Sequence, residues 1–120
     1  MRDVSILTDN GVDLESAIDL LGDLSFYDET LEDFVTEQET RLDQLDDYLS
    51  KQDMENYAIL VHAMKSDSKY LGFTKLAELA YEHELASKAG NSAYVSEHYN
   101  ELINEVNRVY KILMTYKGME

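Results

Sequence analysis

The sequence predicts an all-α fold, an antiparallel up-down-up-down four-helix bundle with one extra short helix at its N-terminal end. Apolar residues recur every three or four positions along most of the 120 residues, which is the spacing of one helix face. The chain has no proline to interrupt a helix, and the strict alternation typical of strands never persists. We expect a single domain over residues 1–120, with its core in residues 11–113, because amphipathic helices bury their apolar stripes best against one another.

The first two helices are predicted from their stripes and their end signals. A short helix is expected over Leu14–Leu21, with Asp13 as its cap and Gly22 as its stop. A long second helix is expected over about Phe26–Leu49, with acidic residues on its outer faces. Its apolar stripe is interrupted by one polar residue and comprises Tyr27, Leu31, Phe34, Gln38, Leu42, Leu45 and Leu49.

Three further helices follow by the same count. The third is expected over about Met54–Leu71 and ends at Gly72, a residue that tolerates positive φ. The fourth is expected over about Lys75–Ala89, and the fifth begins near a Ser92 cap. The stripe of the third helix comprises Tyr57, Leu60, Met64, Ser68 and Leu71, and that of the fifth comprises Val95, His98, Tyr99, Leu102, Val106, Val109 and Leu113.

Composition and charge exclude several classes of partner. The formal net charge is −15, and such a field repels phosphate backbones and anionic lipids, so we expect neither nucleic acid nor membrane as a partner. The chain has no cysteine, no apolar run near the ~20 residues of a membrane span, and no signal-peptide pattern in residues 1–10. We therefore expect a cytoplasmic protein. A monomer is expected, because the bundle accounts for all the long apolar stripes.

One exposed row on the third helix carries the chemistry. His62, Lys65, Ser66 and Lys69 lie at positions i, i+3, i+4 and i+7, opposite the buried stripe. Neutral imidazole is a good nucleophile near physiological pH, and lysines one and two turns away would neutralise a phosphoryl group placed on it. A solvated polar face that contains a histidine is the simpler interpretation of the row by itself.

The run around this row resembles a known signature. Residues 62–73, HAMKSDSKYLGF, are similar to the motif of histidine-containing phosphotransfer (HPt) domains. That motif is His, two residues, Lys, usually Gly, and a second Gly at the tenth position after His. The chain matches it with His62, Lys65 and Gly72 but has Ser66 at the first Gly position. The resemblance extends over about residues 11–113.

The resemblance implies roles for individual residues. His62 would be phosphorylated through one ring nitrogen, and Lys65 would steady the phosphoryl group or the partner. Glu84 stands where some relatives have a Glu that hydrogen-bonds the reactive histidine. The expected partner surface comprises Ser66, Lys69, Gly72 and Gln38. The family usually has Gly at the position of Ser66, where it lets the partner pack closely, so the larger Ser would affect how closely a partner approaches.

The resemblance also implies partners and a cofactor. The chain would accept a phosphoryl group from the aspartyl phosphate of a receiver domain, or from a sensor or hybrid histidine kinase, and pass it to another response regulator. Relatives leave Mg²⁺ to the receiver domain, so the chain would need no cofactor of its own. It contains no Gly-rich phosphate cradle, and we expect no autonomous kinase activity.

Other interpretations remain open at this level. The leading alternative is a helical-bundle adaptor that binds receiver domains or other signalling proteins without transfer. Gln38 is expected either to make a buried hydrogen bond or to face the partner near His62. His83 and His98 lie on apolar stripes and are expected to be core or boundary residues. No metal site is predicted. Two-iron bundles need a Glu three positions before each ligating His, and the residues three positions before His83 and His98 are Ala80 and Val95.

Overall fold

A computed structural model describes residues 3–118, which form six helices joined by short turns and contain no strand. The helices are α1 (Ser5–Thr8), α2 (Leu14–Leu21), α3 (Leu24–Ser50), α4 (Met54–Leu71), α5 (Thr74–Lys88) and α6 (Ser92–Lys117). The all-α prediction is therefore confirmed. The predicted domain of residues 1–120 extends past the described part of the chain at residues 1–2 and 119–120.

Short polar side chains cap four of the six helices. Each accepts a hydrogen bond from a first-turn N–H that has no acceptor within the helix. The caps are Asp13 for α2, Asp23 for α3, Asp53 for α4 and Asn91 for α6. The predicted cap at Asp13 is confirmed. The predicted cap at Ser92 is wrong, because Ser92 is already the first helical residue and the Asn91 side chain accepts from the N–H of Tyr94.

Other helix boundaries differ from the predicted ones for local reasons. The second predicted helix begins at Leu24, two residues earlier than expected, since Asp23 caps it there. The last helix, for which no end was predicted, extends to Lys117 and ends at Gly118, where φ is +78°. Helix α1 was not predicted, because four residues are too few to show a periodicity. It is held to the core by Leu7, whose side chain is fully buried.

The core lies between α3, α4, α5 and α6. Helix α4 packs against α3 and α5, and α6 packs against α5 and α3, so the four long helices surround one interior. The predicted stripes are buried, fully at Tyr27, Leu31, Phe34, Leu45, Tyr57, Met64, Leu71, Val95, Leu102, Val106, Val109 and Leu113, and partly at Leu42, Leu49, Leu60 and Tyr99.

Tyrosine hydroxyl groups connect neighbouring long helices inside this core. Each buried hydroxyl finds an acceptor, as a polar group removed from water must. The pairs are Tyr27 Oη to the Leu71 carbonyl oxygen (2.9 Å), Tyr57 Oη to His83 Nδ1 (2.8 Å) and Tyr116 Oη to Asp28 Oδ1 (2.7 Å). These contacts join the start of α3 to the ends of α4 and α6, and the start of α4 to the second half of α5.

Helix α2 is fastened to the end of α4 at Gly72. The N–H of Asp13 donates to the Gly72 carbonyl oxygen at 2.9 Å. Gly72 has φ +83°, and a Cβ built on it would lie 2.5 Å from the Asp13 carbonyl oxygen. Glycine at this position therefore permits both the left-handed end of α4 and the close approach of the turn before α2.

Candidate functional site

His62 lies on the outer face of α4 with 56% of its side chain exposed. Its neighbours in sequence, Val61 and Met64, are buried in the core, so the helix presents the imidazole to solvent. Along the predicted row, Lys69 is also exposed, while Lys65 and Ser66 are half-buried.

Glu84 on α5 reaches across to His62. Its side chain is only 2% exposed, and its Oε2 lies 2.7 Å from His62 Nδ1. An ionised carboxylate only accepts hydrogen bonds, so Nδ1 must carry the proton in this pair. Neutral His62 then has its free lone pair on Nε2, a tautomer that we assign from the hydrogen bond.

Two lysines share the same carboxylate. Lys65 Nζ lies 2.6 Å from Glu84 Oε1, and Lys88 Nζ lies 2.8 Å from Oε2. Lys65 is 18% exposed and its ammonium also lies over the ring of Tyr81, 5.0 Å from the ring centroid. Lys88, one turn further along α5 from Glu84, is 61% exposed. Glu84 thus joins the histidine to both cations.

The donors around Glu84 decide its ionisation. Burial raises the pKa of this carboxyl group, but hydrogen bonds from Lys65, Lys88 and His62 lower it by more. The result is a pKa of about 2, below the ordinary 4.5. Glu84 is therefore ionised throughout the physiological range, as the assigned histidine tautomer requires.

This shifted pKa predicts a pH dependence of stability. Because the pKa of folded Glu84 lies below its ordinary value, the ionised group stabilises the fold above pH 4.5 and this contribution is lost as the pH falls from 4.5 towards 2. We expect the unfolding free energy of the wild type to fall between pH 5 and pH 2 by about 1–2 kcal/mol more than that of Glu84→Gln. Urea titrations at several pH values measure the unfolding free energy of each protein. An equal dependence of this free energy on pH in the wild type and in Glu84→Gln would contradict the lowered pKa of Glu84.

The predicted partner residues occupy different environments. Lys65, Ser66 and Lys69 line a shallow groove between α2, α4 and α5, together with the exposed apolar side chains of Leu20, Tyr70 and Tyr81. Gly72 lies at the edge of this groove but is buried, and its close contact is with the turn before α2.

Gln38 is not at the surface. Its side chain is 1% exposed, so the expectation that it faces a partner is wrong. The expected buried hydrogen bond is also not made, because neither amide atom has a partner within residues 3–118. The position of Gln38 on an apolar helical stripe correctly predicted its burial, since that face of α3 packs into the core.

The other two histidines are structural. His83 is 1% exposed, with Nδ1 accepting from Tyr57 Oη and Nε2 lying 3.2 Å from the His98 carbonyl oxygen. Burial lowers the pKa of His83, which favours this neutral form. His98 is half-buried and its ring packs against that of Tyr94, with centroids 4.2 Å apart and an interplanar angle of 30°. The predicted core and boundary positions are confirmed.

Two residues of the site were not found from the sequence. Lys88 follows Glu84 by four positions, an i, i+4 spacing that would have signalled the ion pair once Glu84 was placed in the site. Tyr81 gave no such signal, because its contact with Lys65 joins two helices.

Within residues 3–118, no group of three or more His, Cys, Asp or Glu side chains is arranged to hold a metal ion. The same part of the chain has no helix with the length and apolarity of a membrane span.

Fold and site together define an all-helical domain that presents a histidine with one free ring nitrogen. Comparison with protein families gives a match to the Hpt domain over residues 29–111, more than half of the 120 residues. The chain therefore belongs to the Hpt domain family, which takes part in histidine phosphotransfer in two-component phosphorelays. Comparisons with curated proteins and with solved structures gave no match.

Proposed function

We propose that the chain is a phosphorelay carrier that accepts a phosphoryl group on Nε2 of His62. The observation that carries the proposal is the 2.7 Å contact between His62 Nδ1 and buried Glu84. That contact orients an exposed imidazole and leaves the lone pair on its other nitrogen. The donor is the aspartyl phosphate of a receiver domain or a histidine kinase, and the acceptor is another response regulator.

The transfer step follows from this geometry. The Nε2 lone pair attacks phosphorus in line, the bond from phosphorus to the aspartyl oxygen breaks, and the aspartate leaves as a carboxylate. The ring keeps its Nδ1 proton and becomes a phosphorylated imidazolium. Ionised Glu84 stabilises the positive charge that develops on the ring, and we propose that Lys65, which bonds the same carboxylate, neutralises phosphoryl oxygens. Return transfer reverses these steps.

The partner supplies what the chain does not contain. We propose that the receiver domain brings Mg²⁺ to the transferring phosphoryl group and docks on the groove that includes Ser66 and Lys69. The four long helices would form an up-down-up-down bundle, an arrangement that the end-to-start tyrosine contacts support. A cytoplasmic monomer without kinase activity of its own fits this function.

Label transfer tests the proposal. Receiver domains from the same organism are labelled with radioactive phosphate on Asp and mixed with the purified chain, and transfer is followed in both directions. We expect acid-labile, alkali-stable label on the chain, which is the behaviour of phosphohistidine and not of a phosphate ester. Peptide mapping should place it on residues 54–71. Receivers that bind the chain but never exchange label with it would support the adaptor alternative instead.

A further inference from the structure

The lysines that share Glu84 differ in how firmly they are held. Lys65 is half-buried, bonds Glu84 Oε1 and lies over the Tyr81 ring, so two groups fix its position. Lys88 is 61% exposed, and within residues 3–118 its one ion pair is with Glu84 Oε2, an oxygen that it shares with His62 Nδ1. An exposed lysine held by one i, i+4 ion pair is weakly fixed, because water competes for its ammonium group and its long side chain loses freedom in forming the pair.

The two cations also approach the histidine from different grooves. Lys65 lines the groove that holds Ser66 and Lys69. Lys88 lines a second groove, which contains His62 itself together with the exposed Ile59. A group carried on His62 therefore lies near one half-buried cation from the first groove and one exposed cation from the second.

The summed charge of the cluster indicates a role for Lys88, the exposed cation. Before transfer, Glu84 contributes −1, the two lysines +2 and neutral His62 nothing, so the cluster sums to +1. A phosphoryl group brings about −2 charges and the phosphorylated ring +1, so the cluster then sums to about zero. Without Lys88 it would sum to about −1, on a chain whose formal net charge is already −15.

We propose that Lys88 is a second phosphoryl-binding residue, which leaves Glu84 when His62 is phosphorylated and binds the phosphoryl oxygens. A phosphoryl dianion presents more charge and three acceptor oxygens, whereas Glu84 Oε2 presents one oxygen already shared with His62. Lys65, held by Glu84 and Tyr81, keeps its place and preserves the contact that orients the ring. This inference rests on the proposed function of His62.

The test uses a small donor, so that no partner is needed. Phosphoramidate phosphorylates the imidazole as its own phosphorus–nitrogen bond breaks and ammonia leaves. After removal of the donor, ³¹P NMR follows the titration of the phosphoryl group on the wild type, on Lys88→Gln and on Lys88→Arg. We expect Lys88→Gln to raise the pKa of the phosphoryl group by about half a unit, the effect of losing one cation at about 4 Å near water. Lys88→Arg should restore the wild-type value.

Lys75→Gln is the matched control. Lys75 is on the same helix and similarly exposed, and its removal changes the net charge equally, but it faces Glu105 at 4.0 Å. It lies nine residues from Glu84, about 13 Å along the helix and beyond the screening length at physiological salt. Equal titrations for Lys88→Gln and Lys75→Gln would overturn the inference while leaving phosphorylation of His62 intact. If the wild type takes no phosphoryl group on His62, the proposed function itself fails, and the role of Lys88 with it.

Discussion

Replacement of His62 by Gln is expected to abolish phosphoryl acceptance, reducing label on the chain by more than about 100-fold. Gln keeps a similar size and polarity but has no nitrogen lone pair able to attack phosphorus. Because 56% of the His62 side chain is exposed, the fold should tolerate the change, with stability altered by no more than about 0.5 kcal/mol. Label transfer from a phosphorylated receiver domain measures the loss, and thermal unfolding measures the fold.

His98→Gln supplies the control for this experiment. His98 is the other histidine with a solvent-exposed side chain, 35% exposed, and its ion-pair contact is with Glu101 on its own helix at 3.7 Å. It should accept label at the wild-type rate. Loss of label in both variants would show that the effect is not specific to His62. Label that survives in His62→Gln would place the phosphorylated residue elsewhere and contradict the proposed function.

Binding separates the carrier from the adaptor. A carrier variant without its nucleophile should still dock a receiver domain, since the groove of Lys65, Ser66 and Lys69 is unchanged. Equal binding of wild type and His62→Gln, together with loss of transfer only in the variant, is the pattern of a carrier. Equal binding with no transfer to either is the pattern of an adaptor.

The helices could be predicted from the sequence because their stripes are local. Residues spaced by three or four positions share a face whatever the helix packs against, so Tyr27, Leu31 and Phe34 were assigned to the core correctly. The capping residues were harder to predict than the stripes, because Asn91 and Ser92 are adjacent and both are good capping residues. Helix α1 has too few residues for any periodicity to appear.

The site was only partly predictable, because its essential contacts join different helices. Spacing on one helix identified His62 and Lys65, and family resemblance identified Glu84. Only the structure shows that Glu84 is 2% exposed and that it also bonds Lys88. The Tyr81 contact with Lys65 depends on how α4 packs against α5, a relationship that no spacing along one helix encodes.

The buried polar residues Gln38 and Ser68 show again that contacts between helices cannot be predicted from spacing along one helix. Gln38 and Ser68 were both placed on apolar stripes, and both are buried. Their hydrogen-bonding state depends on which side chains face them from other helices. Neither Gln38 nor the Ser68 hydroxyl has a partner within residues 3–118, an outcome that pattern analysis cannot supply.

Gly72→Ala is expected to lower the unfolding free energy by about 3 kcal/mol, the sum of two costs. A non-glycine residue at φ +83° is strained, and the new Cβ would lie 2.5 Å from the Asp13 carbonyl oxygen and 2.8 Å from its carbonyl carbon. These neighbours are backbone atoms, so no side-chain rotation can relieve the contact. The turn before α2 must move away, which breaks the hydrogen bond from the Asp13 N–H to the Gly72 carbonyl oxygen. Thermal unfolding should show a fall in Tm of about 10–15 °C.

Gly90→Ala separates the two costs. Gly90 also follows a helix and has φ +71°, but no atom lies within 4 Å of the position its Cβ would take. It should lose only the conformational part, about 1 kcal/mol. If Gly72→Ala were no more destabilising than Gly90→Ala, the contact between Gly72 and Asp13 would not be what fastens α2. If the larger loss is found, the glycine at the tenth position after His62 acts through packing: it holds α2, whose Leu20 lines the groove beside Lys65 and Ser66.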